Sequence, residues 1–212
     1  MDAPFDLSVT DKLLNTTRSV RKRLDLTRPV SDELILDLIA ISQQAPTGSN
    51  QQGWHWMIVT DAAKKKQIAD IYAAAFNAYS SSRDRSGDKN PEQTARVVAS
   101  ADYLSSVMHE VPVLAIPCIK GRPENLPSVS MAGLYGSILP AVWNYMLAAR
   151  SRGLGTVWTT LHLVGEREIA DLLDIPAEFT QVALIPTAYY TGDDFKPAKR
   201  GPATEITSFN TW

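Results

Sequence analysis

Arg18, Arg21 and Arg23 stand close together with Ser19 among them, and a second pair of cations, Lys199 and Arg200, lies far away in the chain. A guanidinium is a planar fork of fixed donors that matches the oxygens of a phosphate, and a neighbouring hydroxyl can add another donor. If the fold joins the two clusters, they make a phosphate site; if it leaves them apart, they are two solvated basic patches. The loop Pro46-Thr47-Gly48-Ser49-Asn50 supplies backbone N–H groups, small side chains and an amide. It reads either as a helix-terminating turn or as a place where a flat ligand approaches the backbone, which Gly48 permits.

Other chemistries find less support. His55, His109 and His162 share no ligand spacing, and no triad, carboxylate pair or metal cluster stands out. His55, in a Trp-rich strand, is expected half-buried; His162 is a structural residue or a substrate contact. Cys118 sits in an apolar run and reads as an inert buried thiol. Lys64-Lys65-Lys66 reads as a solvated helix start, with contact to a nicotinamide phosphate as the alternative. Gly153-Leu154-Gly155 lacks the third glycine of a dinucleotide fingerprint.

The elements that must position these residues alternate between helix and strand, an α+β or α/β pattern. Helices are expected at 8–17 with Ser8 as cap, from Ser31 or Asp32 with an apolar face of Leu34, Ile35, Leu38, Ile39 and Ile41, at 62–79, 92–109, 131–152 and 165–174. Pro140 should kink or split the helix at 131–152. Strands are expected at 54–60, 111–119, 156–160 and 181–190. Pro112 and Pro117 suggest an edge position or irregular pairing for the second strand. Residues 80–91 read as a polar surface loop. Tyr72, Phe76 and Tyr79 share a helix face that either packs in the core or faces substrate. From residue 193 the chain is polar yet carries Phe195, Phe209 and Trp212, so an ordered arm is expected.

Four segments, in order, resemble the nitroreductase family of flavoproteins: Thr17-Arg-Ser-Val-Arg21, Ala45-Pro-Thr-Gly-Ser-Asn-Gln-Gln-Gly-Trp54, Leu147-Ala-Ala-Arg-Ser-Arg-Gly-Leu-Gly-Thr156 and Phe195-Lys-Pro-Ala-Lys-Arg200. The stretch Thr156 to Leu163 looks closest to an actinobacterial subgroup. Thr17 stands where the family often has a second arginine, Gly53 replaces the proline of Gln-Pro-Trp, and Trp143 replaces a frequent glutamine before Asn144.

The resemblance implies an α+β fold: a central, mainly antiparallel sheet flanked by helices, in a homodimer. Residues 1–192 would form the FMN-binding domain and 193–212 an arm exchanged onto the partner. Arg18, Ser19 and Arg21 would hold the FMN phosphate and the ribityl chain or pyrimidine edge, and Arg200 would close on the phosphate. Thr159, Thr160 and Leu161 would pass the flavin N5 edge and offer it a backbone N–H. Pro46, Thr47, Gly48 and Asn50 would come from the other subunit. No catalytic side chain is expected, since N5 carries the chemistry. NADPH or NADH would reduce FMN and a nitroaromatic, quinone or related electrophile would reoxidise it, by ping-pong transfer. A flavin-fragmenting or dehalogenating branch, and an FMN-storing protein without turnover, are the alternatives.

Composition fits this frame. The 212 residues carry 21 basic and 23 acidic side chains, without the basic excess of a nucleic-acid binder. One cysteine allows no internal disulfide. No apolar run reaches the roughly 20 residues of a membrane span, and the first residues lack a signal-peptide pattern, so a cytoplasmic protein is expected.

Overall fold

The computed structural model describes residues 4–82 and 90–212. The helices are α1 (Leu7–Thr16), α2 (Asp32–Ser42), α3 (Ala62–Ser82), α4 (Pro91–Val107), α5 (Ser128–Gly136), α6 (Leu139–Ser151) and α7 (Glu166–Leu173). The strands are β1 (Trp54–Val59), β2 (Val113–Lys120), β3 (Leu154–Thr156), β4 (Phe179–Gln181) and β5 (Ile185–Tyr189). The loop expected at 80–91 gives way to α3 up to Ser82 and to α4 from Pro91; its middle lies outside the described residues.

The strands form one antiparallel sheet in the order β1-β2-β5-β3, with β4 also paired to β2. β2 is therefore central, and the edge reading of its prolines fails. The irregular-pairing reading holds instead. On one side β2 pairs with β5 through Val113–Ala115 and with β4 through Cys118–Lys120. Pro117 falls in the gap between these ladders, where its carbonyl accepts from the Val182 N–H (3.0 Å) and its missing N–H leaves no rung empty. The expected strand 181–190 is broken there, because the chain steps from β4 to β5 through Val182–Leu184.

β2 is buried on both faces, which explains its unbroken apolar run. Leu114, Ile116 and Cys118 face a core with Ile68, Tyr72 and Phe76 of α3 and Leu104 of α4. Val113, Ala115 and Ile119 face a second core with Ile35 and Leu38 of α2 and Val142, Tyr145 and Met146 of α6. Tyr145 sits within hydrogen-bond distance of Thr187 (3.1 Å), satisfying its buried hydroxyl.

Local capping differs from expectation in places. Asp6, not Ser8, caps α1, its carboxylate accepting from the N–H groups of Ser8 and Val9. Ser31 caps α2, while Ile41 of its expected apolar face is 37% exposed. Pro140 splits the long helix: it lies in the first turn of α6, where its missing N–H costs nothing. The strand expected at 156–160 ends at Thr156; only Thr159 pairs again, exchanging two backbone bonds with Leu184 (3.1 and 2.8 Å).

The segment before α2 runs beside β3. The Val20 N–H donates to the Thr156 carbonyl (2.9 Å), Ser19 pairs in parallel with Thr156, and Leu24 pairs with Tyr190. Val20 points into the core, 3% exposed, so its neighbours Ser19 and Arg21 face the other way. Gly155 makes this approach possible: a Cβ there would lie 2.9 Å from the Val20 Cβ. Gly155→Ala should cost about 1–3 kcal/mol, read as a lower denaturant midpoint; an unchanged midpoint would show that the arm yields without strain.

Candidate functional site

A cleft of about 610 Å³ collects Arg18, Ser19 and Arg21 from this arm, Arg200 from the tail, Trp143 and Met146 from α6, Trp158, and Gln93 and Val97 of α4. The two cation clusters, remote in sequence, meet here. None of the three guanidinium groups has a carboxylate within 4.0 Å among the described residues. Arg18 donates to the Lys196 carbonyl (2.8 Å), Arg21 to the Ser100 hydroxyl (3.4 Å) and Arg200 to the Lys199 carbonyl (3.2 Å). Two other arginines are ion-paired, Arg122 with Glu124 and Glu166 and Arg150 with Asp194, while Arg23, Arg28, Arg96, Arg152 and Arg167 likewise have no carboxylate within 4.0 Å among the described residues.

Arg21 is half-buried, and burial lowers its pKa, with the neighbouring Tyr72 opposing the shift. A desolvated cation without a counter-charge is costly, and an anion entering the cleft offsets that cost. Tyr72 in turn accepts from the Thr159 hydroxyl (3.1 Å), which ties α3 to the segment 159–161. The Thr159 N–H is spent on Leu184; the N–H groups of Thr160 and Leu161 have no acceptor among the described residues.

The loop at 46–50 is not at this cleft in the single chain. Thr47 and Gly48 line a second one, of about 480 Å³, with Ser49, Lys120, Ser130 and Ser137; Pro46 and Asn50 are exposed beside it. The Gly48 N–H donates to the Ser137 hydroxyl (2.9 Å) and the Trp54 indole N–H to the Ser137 carbonyl (2.5 Å). The strained backbone is not at the glycine: Ser49, Asn50 and Gln52 all have φ near +50°. Side-chain residues rarely hold that conformation, and it concentrates at ligand sites.

The family profile described as Nitroreductase family matches residues 14–189. The chain belongs to the nitroreductase family. It is 29% identical to an iodotyrosine deiodinase of Thermotoga neapolitana, over 92% of this chain and 95% of that one. It is 28% identical to a 5,6-dimethylbenzimidazole synthase of Rhodospirillum rubrum, over 82% and 79%. Its fold matches the FMN-dependent nitroreductase NfnB of Mycobacterium smegmatis in complex with NADPH with a TM-score of 0.72 at 18% identity, covering 97% and 100% of the chains.

For this nitroreductase-family chain, several sequence expectations need correction. Lys65 is not solvated: it is 8% exposed and its ammonium donates to the Val111 carbonyl (2.8 Å). His55 is exposed rather than half-buried. Arg23 lies apart from the 610 Å³ cleft's wall and stacks on Phe195 instead. Cys118 is fully buried as expected, its thiol pushed up to about 12 by burial. Of the helix face 72–79, Tyr72 and Phe76 join the core while Tyr79 is 46% exposed. Trp158 and the α4 residues were missed as cleft walls, because no periodicity ties them to the arginines. No group of three or more His, Cys, Asp or Glu among the described residues could hold a metal, and no helix among them is long and apolar enough to cross a membrane.

His162 is fully buried and neither ring nitrogen has a hydrogen-bond partner among the described residues. Burial drops its pKa from 6.5 to about 3. Between those values the unfolded chain binds a proton that the folded chain does not, so stability is full above pH 6.5 and falls as pH drops. The slope should approach about 1.4 kcal/mol per pH unit. Denaturant midpoints at pH 7 and pH 5 should diverge in the wild type, and His162→Leu should remove that part of the difference; a histidine titrating normally would give no such contribution.

Proposed function

We propose that the chain is an FMN-dependent oxidoreductase that uses NADPH or NADH to reduce nitroaromatics, quinones or related electrophiles. The observation that carries this reading is the cleft in which Arg18, Arg21 and Arg200 meet without a carboxylate partner among the described residues. Three guanidinium forks and the Ser19 hydroxyl suit a phosphate dianion. One such cradle, without a glycine-rich dinucleotide loop, favours FMN over FAD. Bound FMN supplies hydride transfer at N5.

The protein's own residues bind and orient. Arg18, Arg21 and Arg200 would hold the phosphate end, with Arg21 also able to stabilise negative charge deeper in the cleft. Trp143, Met146 and Trp158 give it an apolar wall, which keeps water from the ring and strengthens the cation contacts. The N–H groups of Thr160 and Leu161, with Thr159 anchoring the segment to β5's approach, are the donors left to face the ring edge. Donor and acceptor would then occupy the same space in turn, a ping-pong order.

Pro46, Thr47, Gly48 and Asn50 would complete the site from the second subunit of a homodimer, since within one chain their cleft shares no residue with the arginine cleft. Exposed Leu14, Leu36, Ile41, Leu139 and Trp143 on α1, α2 and α6 support such an interface. So do Ile206, Phe209 and Trp212 of the tail, all of them exposed.

Relatives bearing deiodinase and dimethylbenzimidazole synthase names keep the other branches open as outcomes of product analysis under oxygen. Flavin released from the denatured protein should be FMN; recovering FAD, or no flavin after reconstitution, contradicts the reading. Arg200→Ala removes a charge-assisted contact worth roughly 1.5–3 kcal/mol and should weaken FMN binding about 10- to 150-fold. The exposed Lys64→Ala is the control, and equal affinities in the two variants would refute the placement.

A further inference from the structure

The chain leaves β5 not as a loose tail but as a clamped strap. The Thr191 N–H donates to the Arg23 carbonyl (2.9 Å), and Arg23 Nε donates back to the Thr191 carbonyl (2.6 Å). Arg23 Nη2 also donates to the Asp193 carbonyl. The Asp194 carboxylate pairs with Arg150 and, at 2.8 Å, with Lys12. Arg150 also donates to the Tyr190 hydroxyl (2.6 Å), fixing its own direction. The Phe195 ring packs on the Tyr190 ring, 5.0 Å between centroids, with the Arg23 guanidinium 4.2 Å and the Arg150 guanidinium 5.0 Å from its centre. Last in line, Arg18 donates to the Lys196 carbonyl (2.8 Å).

Beyond this clamp the chain changes character. Pro197 and Ala198 line the arginine cleft, Arg200 stands at its wall, and every residue from Gly201 to Trp212 is exposed. Among the described residues, the Arg200 guanidinium hydrogen-bonds only the adjacent Lys199 carbonyl. Nothing local therefore aims it; its place is set by the strap that precedes it. Arg18 serves both structures, as a wall of the cleft and as the last hold on the strap.

We infer that Arg150, Asp194 and Phe195 are positioning residues for Arg200, clamping the strap so that a tail cation becomes a pre-organised donor to the ligand phosphate. The inference rests on the FMN reading above. Its physical content is entropy: a donor on a loose tail must be ordered when ligand binds, and a donor on a clamped strap has been ordered by folding. The clamp holds across the working pH range, because the Lys12, Phe195 N–H and Arg150 contacts keep the Asp194 carboxyl well below the usual carboxylate range.

The test compares ligands that differ only in the phosphate. FMN and riboflavin are titrated separately into the flavin-free full-length chain, for the wild type, Phe195→Ala, Asp194→Ala and Arg200→Ala, and followed by flavin fluorescence. Phe195→Ala and Asp194→Ala should bind FMN about 10-fold more weakly, in the direction of Arg200→Ala, with riboflavin affinity unchanged within about twofold. Phe195→Tyr and Asp194→Glu should restore most of the FMN affinity. Equal weakening for FMN and riboflavin would mean general damage to the site and overturn the positioning role. Unchanged FMN affinity in Phe195→Ala and Asp194→Ala, beside a weakened Arg200→Ala, would overturn the clamp and leave the FMN reading standing. Unchanged FMN affinity in Arg200→Ala would remove Arg200 as a phosphate donor and overturn the clamp with it, while the FMN reading would stand on the flavin released from the protein.

Discussion

Positive charge without a counter-charge is the constraint around which the cleft is built. A folded chain that holds Arg18, Arg21 and Arg200 at one wall, with Arg21 half out of water, pays repulsion and desolvation that no carboxylate among the described residues relieves. The same chain neutralises Arg122 with Glu124 and Glu166, and Arg150 with Asp194, so acids were available to the fold and are placed elsewhere. A site that stores unfavourable charge in the free protein returns it as binding energy to an anion. That is the physical ground for proposing a phosphate-bearing cofactor.

Holding those charges in register takes a rigid frame. β2 supplies it, packed by helices on both faces and paired on both edges, with Pro117 set where two partner strands hand over. β3 and β5 extend the frame, and the arm carrying Arg18 to Leu24 lies against them only because Gly155 has no side chain to collide with Val20. The tail returns along the same edge and is caught by Arg23, Arg150 and Arg18. Both cation clusters thus hang from one end of one sheet.

Much of this was legible in the sequence, for reasons that differ by residue. Pro140 split its helix because a pyrrolidine cannot continue a turn, and Ser31 capped α2 because its hydroxyl replaces a missing acceptor. The two cation clusters could be suspected of meeting, but the four-segment resemblance, not spacing, supplied the reason to join them. What failed depends on tertiary context. Lys65 looked like one of three solvated lysines, yet its ammonium reaches a buried carbonyl on the loop before β2. Strand 156–160 looked continuous, yet among the described residues Trp158 has no strand partner while Thr159 finds Leu184. In the loop 46–52 the eye goes to Gly48, whereas the left-handed positions are Ser49, Asn50 and Gln52, held by contacts that no local propensity announces. Trp158 became a cleft wall through topology alone.

The central claim is that three unpaired guanidiniums bind a phosphate as its dianion, and the phosphorus nucleus of bound FMN reports this directly. A free phosphate monoester takes up its second proton near pH 6, whereas one held among cations stays doubly charged to lower pH. The account predicts that the ³¹P resonance of the protein-bound FMN does not move between about pH 5 and pH 8. A bound resonance that titrates with a midpoint near pH 6, as the free cofactor does, would contradict it.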